Sequence, residues 1–276
     1  MKHIKQINQL RVELKQFASQ TIGFVPTMGY LHLGHLELIK RAREECDIVV
    51  LSIFVNPLQF GPNEDFSRYP RDIERDEQLA KEAGVDFLFS PSVEEMYPEK
   101  PLTHIEVDEI TSKLCGSSRP GHFSGVATVV TKLFHIVSPD RAYFGLKDAQ
   151  QVAVVEQLVK DLSFPVEIVP CDIVREEDGL ALSSRNVYLS SDARKQATVL
   201  YRALKEIQAN PPSDPESIRS ILHERISATP LARIDYIDVL SYPGLQAVTT
   251  IENQTVIVAV AVYFDQTRLI DNILLR

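Results

Sequence analysis

The chain lacks most of the features that would place it in a class at once. Its 276 residues include only three cysteines, Cys46, Cys115 and Cys171. They are odd in number, far apart and without a CxxC pair, which argues against a disulfide framework or a paired-cysteine motif. Reduced, largely buried thiols in a cytoplasmic protein are the expectation. Long apolar runs are also missing. The longest, Thr255 to Phe264, is of strand length, well short of the roughly 20 residues a helical membrane span needs. The first residues scatter Lys2, Lys5, Arg11, Glu13 and Lys15 among apolar positions, so no basic start leads into an apolar stretch as in a secretory signal. Positive charge is scarce, with 29 Lys and Arg against 38 Asp and Glu and a net charge of −9. A broad surface for DNA or RNA is therefore not expected, because such binding needs cations against phosphates; a local cationic pocket for a nucleotide remains compatible. There is no GxxxxGK[ST] phosphate loop and no GxGxxG fingerprint. His223-Glu224 lacks the second histidine of an HExxH zinc motif. No internal repeat stands out.

What remains is a composition ordinary for a globular protein, 44% hydrophobic and 24% charged. A chain of this length can bury a core without disulfide or metal staples. Up to residue 174, strand-like and helix-like segments alternate. Thr21–Val25 is short and apolar and ends at Pro26; a helix follows from about His35 to Glu45. Ile48–Val55 is almost continuously apolar, as expected of a strand covered on both faces. Asp72–Ala83 reads as helix and Val85–Phe89 as strand. Val126 to Val137 has helical spacing, Arg141–Phe144 is a strand, Ala149–Leu162 a helix and Val166–Val174 a strand. This order predicts an α/β fold with a doubly wound, Rossmann-like parallel sheet. Beyond Arg175 the pattern changes. Helices are expected over Ser191–Gln208 and Asp214–Ala228, the second begun by Ser213 and Glu216 at capping-box spacing. Strand-like runs follow at Ile234–Leu240, Thr255–Phe264 and Leu269–Leu275. The expectation is a Rossmann-like domain over 1–174 and a smaller α+β domain over 175–276.

The first strand-to-helix loop of such a sheet faces the ligand crevice. Here it reads Pro26-Thr27-Met28-Gly29-Tyr30-Leu31-His32-Leu33-Gly34-His35. A helix N-terminus offers unpaired N–H groups and partial positive charge to a phosphate. His32 and His35 straddle that junction, and two imidazoles there suit charge developing on an α-phosphate as pyrophosphate leaves. The plainer alternative is that one histidine packs against or caps the turn and the other is solvated. Zinc is a weaker alternative, because no cysteine or third histidine lies nearby in sequence.

Other loops carry matching chemistry. Gly145-Leu146-Lys147-Asp148-Ala149-Gln150-Gln151 leaves a strand and opens a helix; Lys147 suits a phosphate, Asp148 a ribose hydroxyl or magnesium, and Gln151 a carboxylate or hydroxyl. Ser183-Ser184-Arg185 offers two hydroxyls and a guanidinium fork to a triphosphate. Asn56 and Gln59 follow the most apolar strand, where an amide can read a small polar substrate. Arg119 lies in what reads as a flexible loop, Arg119 to Gly125. Tyr69 precedes Pro70-Arg71-Asp72, which alone is no more than a helix start.

Five blocks, Pro26 to His35, Phe54 to Phe60, Arg119 to Val126, Gly145 to Gln151 and Leu182 to Asn186, together resemble the pantoate–β-alanine ligase family in order and spacing across most of the chain. The HxGH element alone resembles only the wider nucleotidyltransferase superfamily. The resemblance implies a two-step reaction in which ATP and pantoate give a bound pantoyl adenylate, and β-alanine then gives pantothenate and AMP. It implies ATP binding by Pro26 to His35, Gly145 to Asp148, Val174 and Leu182 to Arg185. His32, His35, Lys147 and Arg185 would support the chemistry, with His35 as proton donor. Gln59 and Gln151 would hold pantoate, aided by Asn56, Tyr69 and Arg119. Mg2+ carried by ATP, no protein-bound metal and a cytoplasmic homodimer are implied as well. Leu182 stands where methionine is common, and Leu146 where a polar residue is common. The residues alone leave two rivals: a nucleotidyltransferase that stops at adenylyl or cytidylyl transfer, and a nucleotide-sensing binding protein.

Overall fold

A computed structural model describes residues 1–62 and 64–276. Six strands form one parallel sheet: β1 (Lys2–Ile4), β2 (Ile22–Thr27), β3 (Ile48–Ile53), β4 (Phe87–Phe89), β5 (Arg141–Gly145) and β6 (Glu167–Cys171). Their spatial order is β1-β4-β3-β2-β5-β6. The chain winds outward from β2 to β3 and β4 on one side, then to β5 and β6 on the other. The strand order therefore reverses at β2 and β5, the place where an open α/β sheet leaves a crevice at its carboxyl edge. The expected α/β, Rossmann-like architecture is present.

Helices α1 (Ile7–Leu14), α2 (Leu33–Glu45), α3 (Ile73–Glu82), α4 (Val93–Met96), α5 (Leu114–Ser118), α6 (His122–Val137) and α7 (Ala149–Asp161) connect and flank these strands. The apolar content of β3 is explained by cover on both faces: Val50 and Ile48 join the core under α6, while Val49 and Leu51 join the core under α2. Four elements escaped the sequence reading: β1, α1 and the short helices α4 and α5. A three-residue strand at a sheet edge has too few positions to show a period. It is held by pairing with β4 through Lys2, His3 and Ile4.

After β6 come α8 (Ser191–Ala197), α9 (Val199–Ala209), α10 (Pro215–Ser227) and an antiparallel sheet of β7 (Ala232–Ser241), β8 (Val256–Phe264) and β9 (Thr267–Leu275). The continuous helix expected over Ser191–Gln208 is broken at Thr198, which caps α8 and opens α9. The expected Ser213 cap is also corrected: Asp214 is the N-cap of α10, its carboxylate accepting the Ser217 N–H at 2.8 Å. Strand β8 is apolar at every position because it too is covered twice. Val256, Val258, Val260, Val262 and Phe264 pack with α9 and α10, while Ile257 and Ala259 face the core of the parallel-sheet unit. The three cysteines are buried and unpaired. Among the described residues, no helix is long and apolar enough to cross a membrane.

Candidate active site

The Pro26–His35 segment leaves β2 at the point of reversal. Its helix is capped by histidine rather than by the usual hydroxyl or carboxylate. His32 Nδ1 accepts the Gly34 N–H at 3.1 Å, and His35 Nδ1 accepts the His32 N–H at 3.3 Å. A backbone N–H can only donate, so both Nδ1 atoms are acceptors and each neutral ring carries its proton on Nε2. The rings lie with centroids 4.0 Å apart. Burial lowers the His32 pKa to about 4, with Lys147 adding to the effect. His35 is held well below its ordinary value by burial, then by His32 and Lys147. Both rings therefore present neutral Nε2–H donors. The plain capping role is present, and both residues also line a crevice of about 1420 Å³ that opens to solvent.

Other segments meet this crevice. From β5 come Gly145, Lys147 and Asp148, followed by Gln151 in the first turn of α7. Lys147 Nζ lies 3.4 Å from Asp148 Oδ2. Desolvation raises the Asp148 carboxyl, but Lys147, Arg185 and His122 together hold it below the usual aspartate range. Beyond β6, Asp172, Ile173 and Val174 line the wall, and Leu182 to Arg185 close it from the C-terminal side. Arg185 directs its fork at Asp65, with both N–O distances 3.0 Å. Its guanidinium also lies 5.9 Å from the Tyr69 ring centroid.

After β3, Gln59 enters the crevice with a fixed orientation. Its Oε1 accepts from Asn56 Nδ2 at 3.2 Å, so its amide N–H groups point onward, one of them at Met28 Sδ at 3.2 Å. A thioether is a weak acceptor, which leaves that amide available to a substrate oxygen. Asn56 itself does not line the crevice. It is 1% exposed and fully engaged, donating also to Gly125 O and accepting from Leu58 N and Tyr97 OH. Asn56, expected beside the substrate, here sets the direction of Gln59.

The Arg119–Gly125 stretch is not a flexible loop. His122 begins α6, and Arg119 is clamped to Glu64 at 2.8 and 2.5 Å. His122, missed in sequence, lines the crevice. Its Nδ1–H meets Gln59 O at 2.8 Å and its Nε2 accepts from Arg119 at 3.1 Å. Burial lowers its pKa to about 4, assisted by Arg119. Val126, Val129, Val130 and Leu133, legible only as a helix face, form an apolar wall with Phe54 and Phe60.

Several residues of the expected nucleotide-binding segments do not line this crevice. Gly29 and Tyr30 line a neighbouring cavity, in a turn with φ of 81° and 50°, and the Tyr30 carbonyl accepts from Ser184 Oγ at 3.5 Å. Leu31 is fully buried, Leu33 is 64% exposed, and Leu146 packs against the main core. Pro26, Thr27, Met28 and Gly34 remain on the lining. Among the described residues, no group of three or more His, Cys, Asp or Glu is placed to hold a metal ion.

The sequence matches the profile of pantoate–β-alanine ligase over residues 2–274. The chain belongs to the pantoate–β-alanine ligase family. It is 58% identical to a pantothenate synthetase of Geobacillus sp. (strain WCH70) over 275 residues, 98% of this chain and 97% of that one. It is 55% identical to the pantothenate synthetase of Caldicellulosiruptor bescii over 276 residues, 99% and 97% of the two chains. The crystal structure of pantothenate synthetase from Thermus thermophilus superposes with a TM-score of 0.92 at 51% identity, covering 99% of both chains. The ligase from Francisella tularensis, complexed with β-γ ATP and β-alanine, gives a TM-score of 0.83 at 39% identity, covering 99% of this chain and 97% of that one. The ligase fold is thus shared from end to end, and this chain is a carbon–nitrogen ligase of pantothenate biosynthesis.

Proposed function

We propose that the enzyme condenses pantoate with β-alanine using ATP, through a bound pantoyl adenylate, releasing pyrophosphate and then AMP. One observation carries this: two neutral Nε2–H imidazoles, the cations Lys147 and Arg185 and the amides Gln59 and Gln151 line one crevice. A carboxylate and a triphosphate repel each other, and fixed donors and cations offset that repulsion while orienting in-line attack. In the first step a pantoate carboxylate oxygen attacks the α-phosphorus and the bond to pyrophosphate breaks. No net proton is transferred, so His32 and His35 act as hydrogen-bond donors to the developing charge. In this reading His35 serves as a hydrogen-bond donor rather than as the proton donor the resemblance implies, in keeping with the burial that disfavours its imidazolium. In the second step the amine of β-alanine attacks the acyl carbon, AMP leaves, and the amine loses a proton.

The apolar wall of α6 suits the dimethyl carbons of pantoate, and Gln59 and Gln151 suit its hydroxyl and carboxylate oxygens. Val174 and Leu182 would border the adenine, with Ser183 and Ser184 beside the phosphates; Tyr69 and Arg119 would complete the acid site. Asp148 is a carboxylate on the crevice wall able to meet a ribose hydroxyl or a magnesium ion that arrives with ATP; magnesium bound to the triphosphate would lessen its charge. We also propose that residues 1–174 bind the substrates while residues 175–276 act as a lid that keeps water from the acyl adenylate. Ser183 to Arg185 on the crevice wall support this. The family likeness supports a cytoplasmic homodimer serving coenzyme A biosynthesis, with no nucleic-acid or membrane partner.

The test is dependence of the two half-reactions. Pyrophosphate release should need ATP and pantoate alone, whereas AMP-coupled pantothenate should need β-alanine as well. Equal pyrophosphate release with an unrelated carboxylic acid would contradict the assignment.

A further inference from the structure

Asp76 is a buried carboxylate that the reaction as written does not use. It lies in the first turn of α3 and is 1% exposed. Its Oδ2 accepts the Tyr30 N–H at 2.6 Å and its Oδ1 the Leu31 N–H at 2.7 Å. Charge-assisted bonds to two consecutive amides hold a peptide more firmly than neutral ones. Those amides immediately precede His32. The backbone beside this carboxylate is unusual in two ways. Gly29 has φ +81°, and a Cβ on it would stand 2.9 Å from Asp76 Oδ2 and 2.8 Å from Ile53 Cγ2. Tyr30, a non-glycine residue, has φ 50°, a conformation kept only where the surroundings impose it. Arg75 adds a further hold, with its guanidinium 5.2 Å from the Tyr30 ring centroid and Nη1 3.6 Å from Asp76 Oδ1.

We infer that Asp76 is a positioning residue for adenylyl transfer, which fixes the turn ahead of His32 so that the two imidazole donors meet the α-phosphate in register. It acts through the Tyr30 and Leu31 amides and touches no substrate. The inference rests on the adenylate-forming reaction proposed above. Two neighbouring amides pointing the same way need an acceptor with two oxygens; an asparagine supplies one and turns an N–H2 against the other amide. Burial pushes the Asp76 carboxyl above the ordinary aspartate range, and the bonds from Leu31 and Tyr30 pull it back only part-way. The grip should therefore weaken on acidification earlier than for a solvated aspartate.

The experiment measures the half-reactions separately in Asp76→Asn and in Gly29→Ala, which presses on the same carboxylate from the loop side. Pantoate-dependent pyrophosphate release should slow by about 10–100-fold with a raised KM for ATP. Conversion of supplied pantoyl adenylate and β-alanine to pantothenate should stay within about twofold of wild type. Wild-type adenylation in both variants would overturn the inference. Equal loss in both half-reactions would overturn it too, since that marks general damage rather than positioning. Should Asp76→Asn fail to fold, Gly29→Ala carries the same test. If the wild-type enzyme itself released no pyrophosphate with pantoate, the proposed function would fail instead.

Discussion

At the scale of single residues, the site depends on hydrogen-bond direction more than on charge. His32 and His35 commit Nδ1 to the backbone and keep Nε2–H for a ligand. Replacing His35 with alanine removes a donor aimed at the transition state, so adenylation should slow by about 100–1000-fold. ATP affinity should fall by much less, which equilibrium binding beside single-turnover rates would show. Neutral histidines also link stability to pH. An unfolded histidine takes up a proton as pH falls through about 6.5, whereas folded His32 and His122 do so only at about 4. Between those values the unfolded state binds more protons, so stability is full above the upper value and is lost as pH falls toward the lower. Each such histidine contributes up to about 1.4 kcal/mol per pH unit within that window. The thermal midpoint should fall steadily from pH 7 to pH 5, and His122→Gln should flatten part of that fall. The histidine pair was legible in sequence because motif and helix start coincide within one short segment. Asp76 was not, because its partner Tyr30 lies 46 positions away, and no local spacing marks a carboxylate that folding brings onto a distant amide.

At the scale of elements, the crevice needs α6 to lie directly on the Asn56–Gln59 turn. Gly125 permits that approach: a Cβ there would stand 2.3 Å from Leu58 O and 2.7 Å from Gln59 Cα. Because the obstructing atoms are backbone, Gly125→Ala must push turn and helix apart. We expect a stability loss of about 1–3 kcal/mol, as for overpacked cores, and a raised KM for pantoate, measured by denaturant unfolding and initial rates. The alternation of strands and helices was readable from apolar periodicity, and so was the Val126–Leu133 stripe. Its proposed use as a substrate wall was not, because core packing and ligand contact make the same demand for apolar side chains. Helix ends were misread at two places. The break at Thr198 and the cap at Asp214 leave no imprint on the hydrophobic period.

At the scale of the whole molecule, the C-terminal sheet is tied to the chemistry at its root. Arg175, at the start of the crossing segment, pairs with buried Asp271 of β9 at 2.6 and 2.9 Å. Asn272 beside it donates to the carbonyls of Leu146 and Lys147, at 2.9 and 3.1 Å. The loop that carries Lys147 therefore gains support from the small sheet, while Arg185 reaches the crevice from the segment between Arg175 and α8 and meets Asp65 there. Sequence alone showed the change of pattern near residue 174 but not these ties, which join residues more than a hundred positions apart in the case of Asn272 and Lys147. The central claim is that this assembly activates pantoate by adenylyl transfer. Pantoate labelled with 18O in its carboxylate tests it most directly, with the products analysed by mass spectrometry. Attack of that carboxylate on the α-phosphorus, followed by amide formation, should leave one labelled oxygen in the phosphate of AMP and none in pyrophosphate. Unlabelled AMP, or label in inorganic phosphate or pyrophosphate, would contradict it.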